Sequence, residues 1–183
     1  DGNLILASEY QENQLTNYAN LKNIIDIFEA KKMAGDFFVH CAAEIRGNFK
    51  AGDKIMALVN NRTRQFRAIN HSATHLLHFA LKQIVGNHIS QKGSNVDSEY
   101  FTFDFNHNKP LSQLEIDQIE DLVNFYVRQN SPIQTEILPL EEARNKGAMA
   151  LFGEKYDDVV RVLQMGKSIE LCGGTHAKAT GNI

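Results

Sequence analysis

Asn70-His71-Ser72-Ala73-Thr74-His75-Leu76-Leu77-His78-Phe79-Ala80-Leu81-Lys82-Gln83-Ile84-Val85-Gly86 is the stretch on which the reading of the whole chain turns. Ala73, Leu76, Leu77, Ala80, Leu81 and Ile84 recur at i, i+3, i+4 and i+7, so the segment forms an amphipathic helix with that stripe in the core. Asn70 is placed to cap its start and Gly86 to end it at C′. A second stripe carries His71, Thr74, His75 and His78. His71 and His75 are one turn apart, which stacks their rings on one helix face. Two imidazoles so arranged can share one divalent metal, provided that the rest of the chain supplies the remaining ligands.

Before this helix, Leu4-Ile5-Leu6, Ile24 to Phe28, Phe37 to His40 and Lys54 to Val59 are short apolar runs between Gly, Asn and Asp punctuation. They predict strands, and their spacing predicts a small antiparallel barrel or sandwich over residues 1–66. His40 and Cys41 are adjacent on one of these strands, so they point to opposite faces and belong to ordinary packing. Arg62, Arg64 and Arg67 follow. They are either a solvated strand edge or a contact to phosphate, whose geometry suits arginine.

After the helix, His88 to Ser94 reads as a strand running into a turn. Tyr100 to Phe105 alternates cleanly, with Phe101, Phe103 and Phe105 on the core face and Asp104 on the other. Ser112 with Glu115 forms a capping box for a second long helix, in which Ile116, Ile119, Val123, Tyr126 and Val127 are buried. Ile133 to Leu138 is a further strand, Leu140 to Lys146 a short helix stopped by Gly147, and Val159–Met165 with Ser168–Leu171 a hairpin about Gly166-Lys167. The expected fold is α+β, a small N-terminal β-barrel followed over residues 67–183 by a mainly antiparallel sheet with two long helices.

With 183 residues, 43% hydrophobic and 22% charged, the composition is that of a globular protein with one core and a small satellite. No apolar run has the length of a membrane span and no leader segment is recognisable, so no membrane partner and a cytoplasmic location are expected. Two cysteines make no disulfide framework and fit a reducing compartment. The formal charge of −3 gives no general affinity for nucleic acid, which must come from local patches. The chain opens on Asp1-Gly2 without a Met and closes on Gly181-Asn182-Ile183, which reads as a piece of a larger protein; the isolated fragment is expected to be a monomer.

The late hairpin delivers Leu171-Cys172-Gly173-Gly174-Thr175-His176 into a loop. Cys172 and His176 with His71 and His75 make a three-nitrogen, one-sulfur set that suits Zn2+. The helix lacks the glutamate of a metalloprotease, and no deaminase signature is present. Cys172 as a free nucleophile, in a metal-free thiol enzyme, remains an alternative.

The runs Asn70 to His78, Gln91-Lys92-Gly93-Ser94, Phe103-Asp104-Phe105 with His107, Gly147 to Tyr156, Arg161-Val162 and Glu170 to His176 closely resemble the editing domain of alanyl-tRNA synthetase. The resemblance is dense from about residue 62 onward and weaker before it. It implies hydrolysis of tRNA(Ala) mischarged with serine or glycine at a zinc-type site, with direct engagement of substrate by the ion expected over a purely structural role. The parent synthetase would also use ATP and Mg2+, neither bound by these residues. On this resemblance Thr74 is the group that recognises the serine hydroxyl, and Gln91 orients substrate or water. Gly173 and Gly174 would present N–H groups to the oxyanion. Asp104 is a weaker candidate for the base, and Arg62, Arg64, Arg67 and Lys92 are candidate tRNA contacts. A free-standing editing factor, or a zinc-stabilised tRNA-binding module without catalysis, are the alternatives.

Overall fold

The computed structural model describes residues 2–7, 21–33, 37–149 and 156–183. Its contacts divide the chain into two compact units, Asp1–Arg64 and Gln65–Ile183.

In the first unit β1 (Gly2–Leu6), β2 (Ile24–Lys32), β3 (Phe38–Arg46) and β4 (Ile55–Val59) form one antiparallel sheet in the order β3-β2-β1-β4. Leu4, opposite Ile25 and Ala57, is buried with Ile5, Ile24 and Ile27. The expected barrel is not closed among the described residues, because β3 and β4 are the two edges and do not pair. Among the described residues this sheet has four strands, two of them only five residues long, too few to curl back on itself with the stagger that closure needs. His40 is exposed and Cys41 half-buried on β3.

The long helix α1 runs over Asn61–Ile84, ten residues more at its start than a helix capped by Asn70 would have. The capping residue is Asn60, whose Oδ1 accepts from the Thr63 N–H at 3.1 Å and whose carbonyl accepts from the Arg64 N–H at 2.9 Å. Asn70 lies inside the helix, and its Nδ2 donates to the Asp97 carbonyl at 2.7 Å. Arg62, Arg64 and Arg67 therefore stand on the first turns of a helix and not on a strand edge. Arg and Gln favour helix without supplying an apolar stripe, which is why periodicity missed this part.

Beyond Gly86, which has φ +135°, the β5 (Gln91–Val96) and β6 (Phe101–Phe105) hairpin begins three residues later than the predicted strand. The residues between them form a turn, with the Ile89 N–H donating to the Gly86 carbonyl. Helix α2 (Gln113–Arg128) starts on the expected capping box of Ser112 and Glu115. Then follow β7 (Ile133–Pro139), α3 (Leu140–Asn145), β8 (Val159–Met165) and β9 (Ser168–Leu171), the three strands forming an antiparallel sheet in the order β7-β8-β9. Part of the Gly147 to Tyr156 block, residues 150–155, lies outside the described residues. The fold is α+β.

The alternation of β8 places the site. Val160 and Val162 pack with Leu171 and with Ala143 of α3, while Leu163 and Met165 pack with Leu76 and Phe79 of α1 and Tyr126 of α2. The sheet is thus covered on both faces. Phe103 and Phe105 join Ala80, Leu81, Ile89 and Ile119 in a further cluster, so the aromatic face of β6 is core, as read. The Gly166-Lys167 turn, with φ +57° at Gly166, pairs Met165 with Ser168 and Leu163 with Glu170. Ser168 and Glu170 therefore share the face that looks at α1.

Candidate metal centre

His71 and His75 project from α1, and Cys172 and His176 come from the loop that leaves β9. Their four ligand atoms all lie within 4.8 Å of one another. His71 Nε2 is 3.6 Å from Cys172 Sγ, and His75 Nε2 is 3.3 Å from His176 Nε2. A tetrahedral zinc with bonds of about 2.0–2.1 Å to nitrogen and about 2.3 Å to sulfur sets its ligand atoms about 3.3 Å apart for N···N and about 3.6 Å for N···S. These two pairs match those separations, and the spread of the set, up to 4.8 Å, must tighten to close round an ion. The rings of His71 and His176 have centroids 4.5 Å apart. Two ring nitrogens facing each other at 3.3 Å, beside a sulfur, are a donor set that an ion satisfies and that neutral imidazoles satisfy only in part. The residues present fit a metal.

Several groups hold the loop in place. The Cβ of any other residue at Gly174 would sit 2.2 Å from His71 Cε1, so glycine is required there for the loop to approach the ring. At Gly173 the same atom meets nothing within 4 Å. Arg161, on the α1-facing side of β8, donates to the carbonyls of Cys172 at 2.9 Å and Gly174 at 2.8 Å. Ser72, fully buried on α1, accepts from the Ala177 N–H at 3.0 Å. Helix and loop are fastened on both sides of the cluster.

Behind His75 lies Glu170, a residue that falls within one of the resembling runs but was given no role there. Its Oε2 accepts from His75 Nδ1 at 2.7 Å, and its Oε1 is 3.3 Å from His78 Nδ1 and accepts from Ser168 Oγ at 3.3 Å. The signal was present in the hairpin register, since a charged residue in the third pair from the turn, on the same face as Met165 and Ser168, must find a partner. Arg161, on the same face, was missed likewise.

Charge is redistributed within the cluster. Burial pushes the Cys172 thiol up, but hydrogen bonds from His176, His71 and His75 outweigh it and bring the group down to about 3. Burial also opposes charge on His75, yet hydrogen bonds to Cys172 and Glu170 lift it to about 9. Burial opposes ionisation of Glu170 too, while His75 and His78 hold it at about 2. His176 is lowered, mainly by burial. The metal-free cluster therefore has a thiolate already formed, and metal entry displaces the second proton of His75.

The other predicted site residues are placed as follows. Thr74 is buried on α1, and its hydroxyl donates to the Asn70 carbonyl at 2.8 Å. Gln91 opens β5 opposite Phe105, and Lys92 beside it is exposed. Asp104 is exposed on the outer face of β6, away from the Phe103 ring that lies 5.4 Å from His78, because strand alternation turns it outward. Neither Gln91 nor Asp104 contributes an atom to the cluster. The Gly174 N–H donates to Cys172 Sγ at 3.4 Å, so it is committed to the thiol and not to an oxyanion. Arg67 pairs with Asp97 at 3.0 Å, and Arg62 and Arg64 are exposed in the first unit.

Comparison with known proteins adds to this geometry. Residues 160–183, which comprise β8, β9 and the ligand-bearing loop, match the family described as the threonyl and alanyl tRNA synthetase second additional domain. Over that stretch, which holds Cys172 and His176, the chain is similar to that class of synthetase-associated domains. More particularly, it belongs with the alanyl-tRNA synthetase type of editing domain, being 52% identical over 152 residues, 82% of its own length, to an alanine–tRNA ligase of Saccharophagus degradans. It spans 17% of the length of that relative.

Proposed function

We propose that this domain hydrolyses the ester bond of tRNA(Ala) wrongly charged with serine or glycine, at a Zn2+ held by His71, His75, Cys172 and His176. The observation that carries the reading is the convergence of these four donors from α1 and the β9 loop, in a chain half-identical to an alanine–tRNA ligase. The ion, when bound, supplies a Lewis acid for an ester carbonyl or for a substrate heteroatom. The residues of the chain do the rest. Arg161 and Ser72 keep the loop against the helix, and Gly174 leaves room for the His71 ring.

Selectivity requires that the correct alanyl ester survive, and size exclusion fails because serine is larger than alanine and glycine smaller. The Thr74 hydroxyl has committed its proton to Asn70, so its oxygen is left as an acceptor that a serine hydroxyl can satisfy and an alanine methyl cannot. Gln91 is the second candidate for orienting substrate or water. Residues 67–183 form the editing core in this reading, and Arg62, Arg64, Arg67 and Lys92 are the candidate contacts to the tRNA backbone.

The test is deacylation of seryl-tRNA(Ala) by the purified chain, with metal analysis on the same sample. The reading expects one zinc per chain, release of serine, and loss of release with His71→Ala or Cys172→Ala. Binding without release identifies a non-catalytic module. Release that persists in chelator but stops on alkylation identifies a thiol enzyme using Cys172 directly.

A further inference from the structure

Glu170 is 2% exposed, and its ion-pair partners among the described residues are two imidazoles. Burying a carboxylate there is costly, and an apolar side chain of equal volume would fill the space without that cost. The contacts show what the charge does. An ionised carboxylate only accepts hydrogen bonds, so the 2.7 Å contact requires the proton of His75 to reside on Nδ1. That leaves Nε2, the atom 3.3 Å from His176 Nε2, as the one that faces the cluster. His176 has no such backing, since its Nδ1 is buried without a hydrogen-bond partner among the described residues. The second oxygen of Glu170 reaches His78, one helical turn along α1, and Ser168 steadies it from β9. The same short strand thus delivers Cys172 to the cluster and, two residues earlier, a carboxylate to the back of a facing histidine.

We propose that Glu170 is a positioning residue of the metal centre: it fixes His75 with Nε2 free for the ion and places negative charge behind that ligand. The proposal rests on the metal-centre reading above and adds to it a carboxylate–histidine–metal arrangement. Ser168 acts through Glu170 by donating to its other oxygen, which His78 Nδ1 approaches to 3.3 Å without completing a hydrogen bond.

The experiment compares the wild-type chain with Glu170→Gln and Glu170→Met, an amide of the same shape and an apolar residue of similar volume. Zn2+ affinity is measured by competition with a chromophoric chelator, the Co2+ spectrum is recorded, and the metal-free chains are unfolded in urea. Both variants are expected to bind Zn2+ about 10- to 100-fold more weakly and to shift the Co2+ bands, while both metal-free chains still unfold cooperatively in urea, at a lower midpoint than wild type because His75 loses its buried partner. Wild-type affinity and an unshifted Co2+ spectrum in both variants overturn the proposal. Loss of the fold in both also overturns it, because the role is then structural. If the wild-type chain itself takes up neither ion, the metal-centre reading fails first and the proposal with it.

Discussion

His71, His75 and His176 crowd round Cys172 with ring centroids 4.5 to 5.2 Å apart, whereas His88 and His107 stack at 5.2 Å beside a surface cavity lined by Val85, Phe105, Asn106 and Lys109. Nitrogens are close in both groups: His88 Nε2 is 3.0 Å from His107 Nδ1. The difference lies in what surrounds them. The first group has a thiolate in its midst and a buried carboxylate behind it, both delivered by a strand remote in sequence. The second is made by one loop meeting one turn, is linked by an imidazole–imidazole hydrogen bond, and leaves His107 Nε2 buried without a hydrogen-bond partner among the described residues. Proximity of histidines is common, but a backed and anchored donor set is not.

The largest test of this contrast is removal of a donor from each group. Cys172→Ala is expected to abolish zinc binding at micromolar metal, whereas His107→Ala retains one zinc per chain, both read by metal analysis after gel filtration. A next test uses the two adjacent glycines. Gly174→Ala drives a methyl into the His71 ring and is expected to cost about 1–3 kcal/mol in urea unfolding, with weaker zinc binding. Gly173→Ala, with open space at the same atom, is expected to leave affinity unchanged.

The metal-free chain also predicts a pH profile. Cys172, down to about 3 from an ordinary 9.0, contributes fully above 9 and progressively less as pH falls through about 3. Glu170, down to about 2 from 4.5, contributes fully above 4.5 and loses its share as pH falls through about 2. His75, up to about 9 from 6.5, contributes fully below 6.5 and loses its share as pH rises through about 9. The first and third oppose each other between 6.5 and 9, and the first two add below 4.5. The urea midpoint of the metal-free chain is therefore expected to fall most steeply below pH 4.5. A flat midpoint from pH 6 down to 3 contradicts these assignments. The smallest effect belongs to His88→Ala, expected to change stability by about 0.5 kcal/mol or less and to leave that pH profile unmoved.

Much of this was legible in the chain order of residues. The Ser112–Glu115 capping box and the Gly166-Lys167 turn depend on neighbours a few residues away and stand where they were read. Helical periodicity places Leu76, Ala80 and Leu81 in the core, although Ala73 is only half-buried and Ser72, Thr74 and Phe79 outside the stripe are buried too. The early start of α1 was not legible, because Asn60 and the arginines carry no apolar stripe. Nor was the open edge of the first sheet, since strand patterns do not say whether the last strand reaches the first. Residue types alone put two imidazoles on one helix face and a thiol with a third imidazole in a glycine loop. Tertiary structure decided that the two sets meet, that Gly174 is the point of closest approach, and that Glu170 stands behind His75. Those facts depend on the strand register that turns position 170 toward α1, and on the packing of Leu163 and Met165 against Leu76 and Phe79 that carries the sheet to the helix.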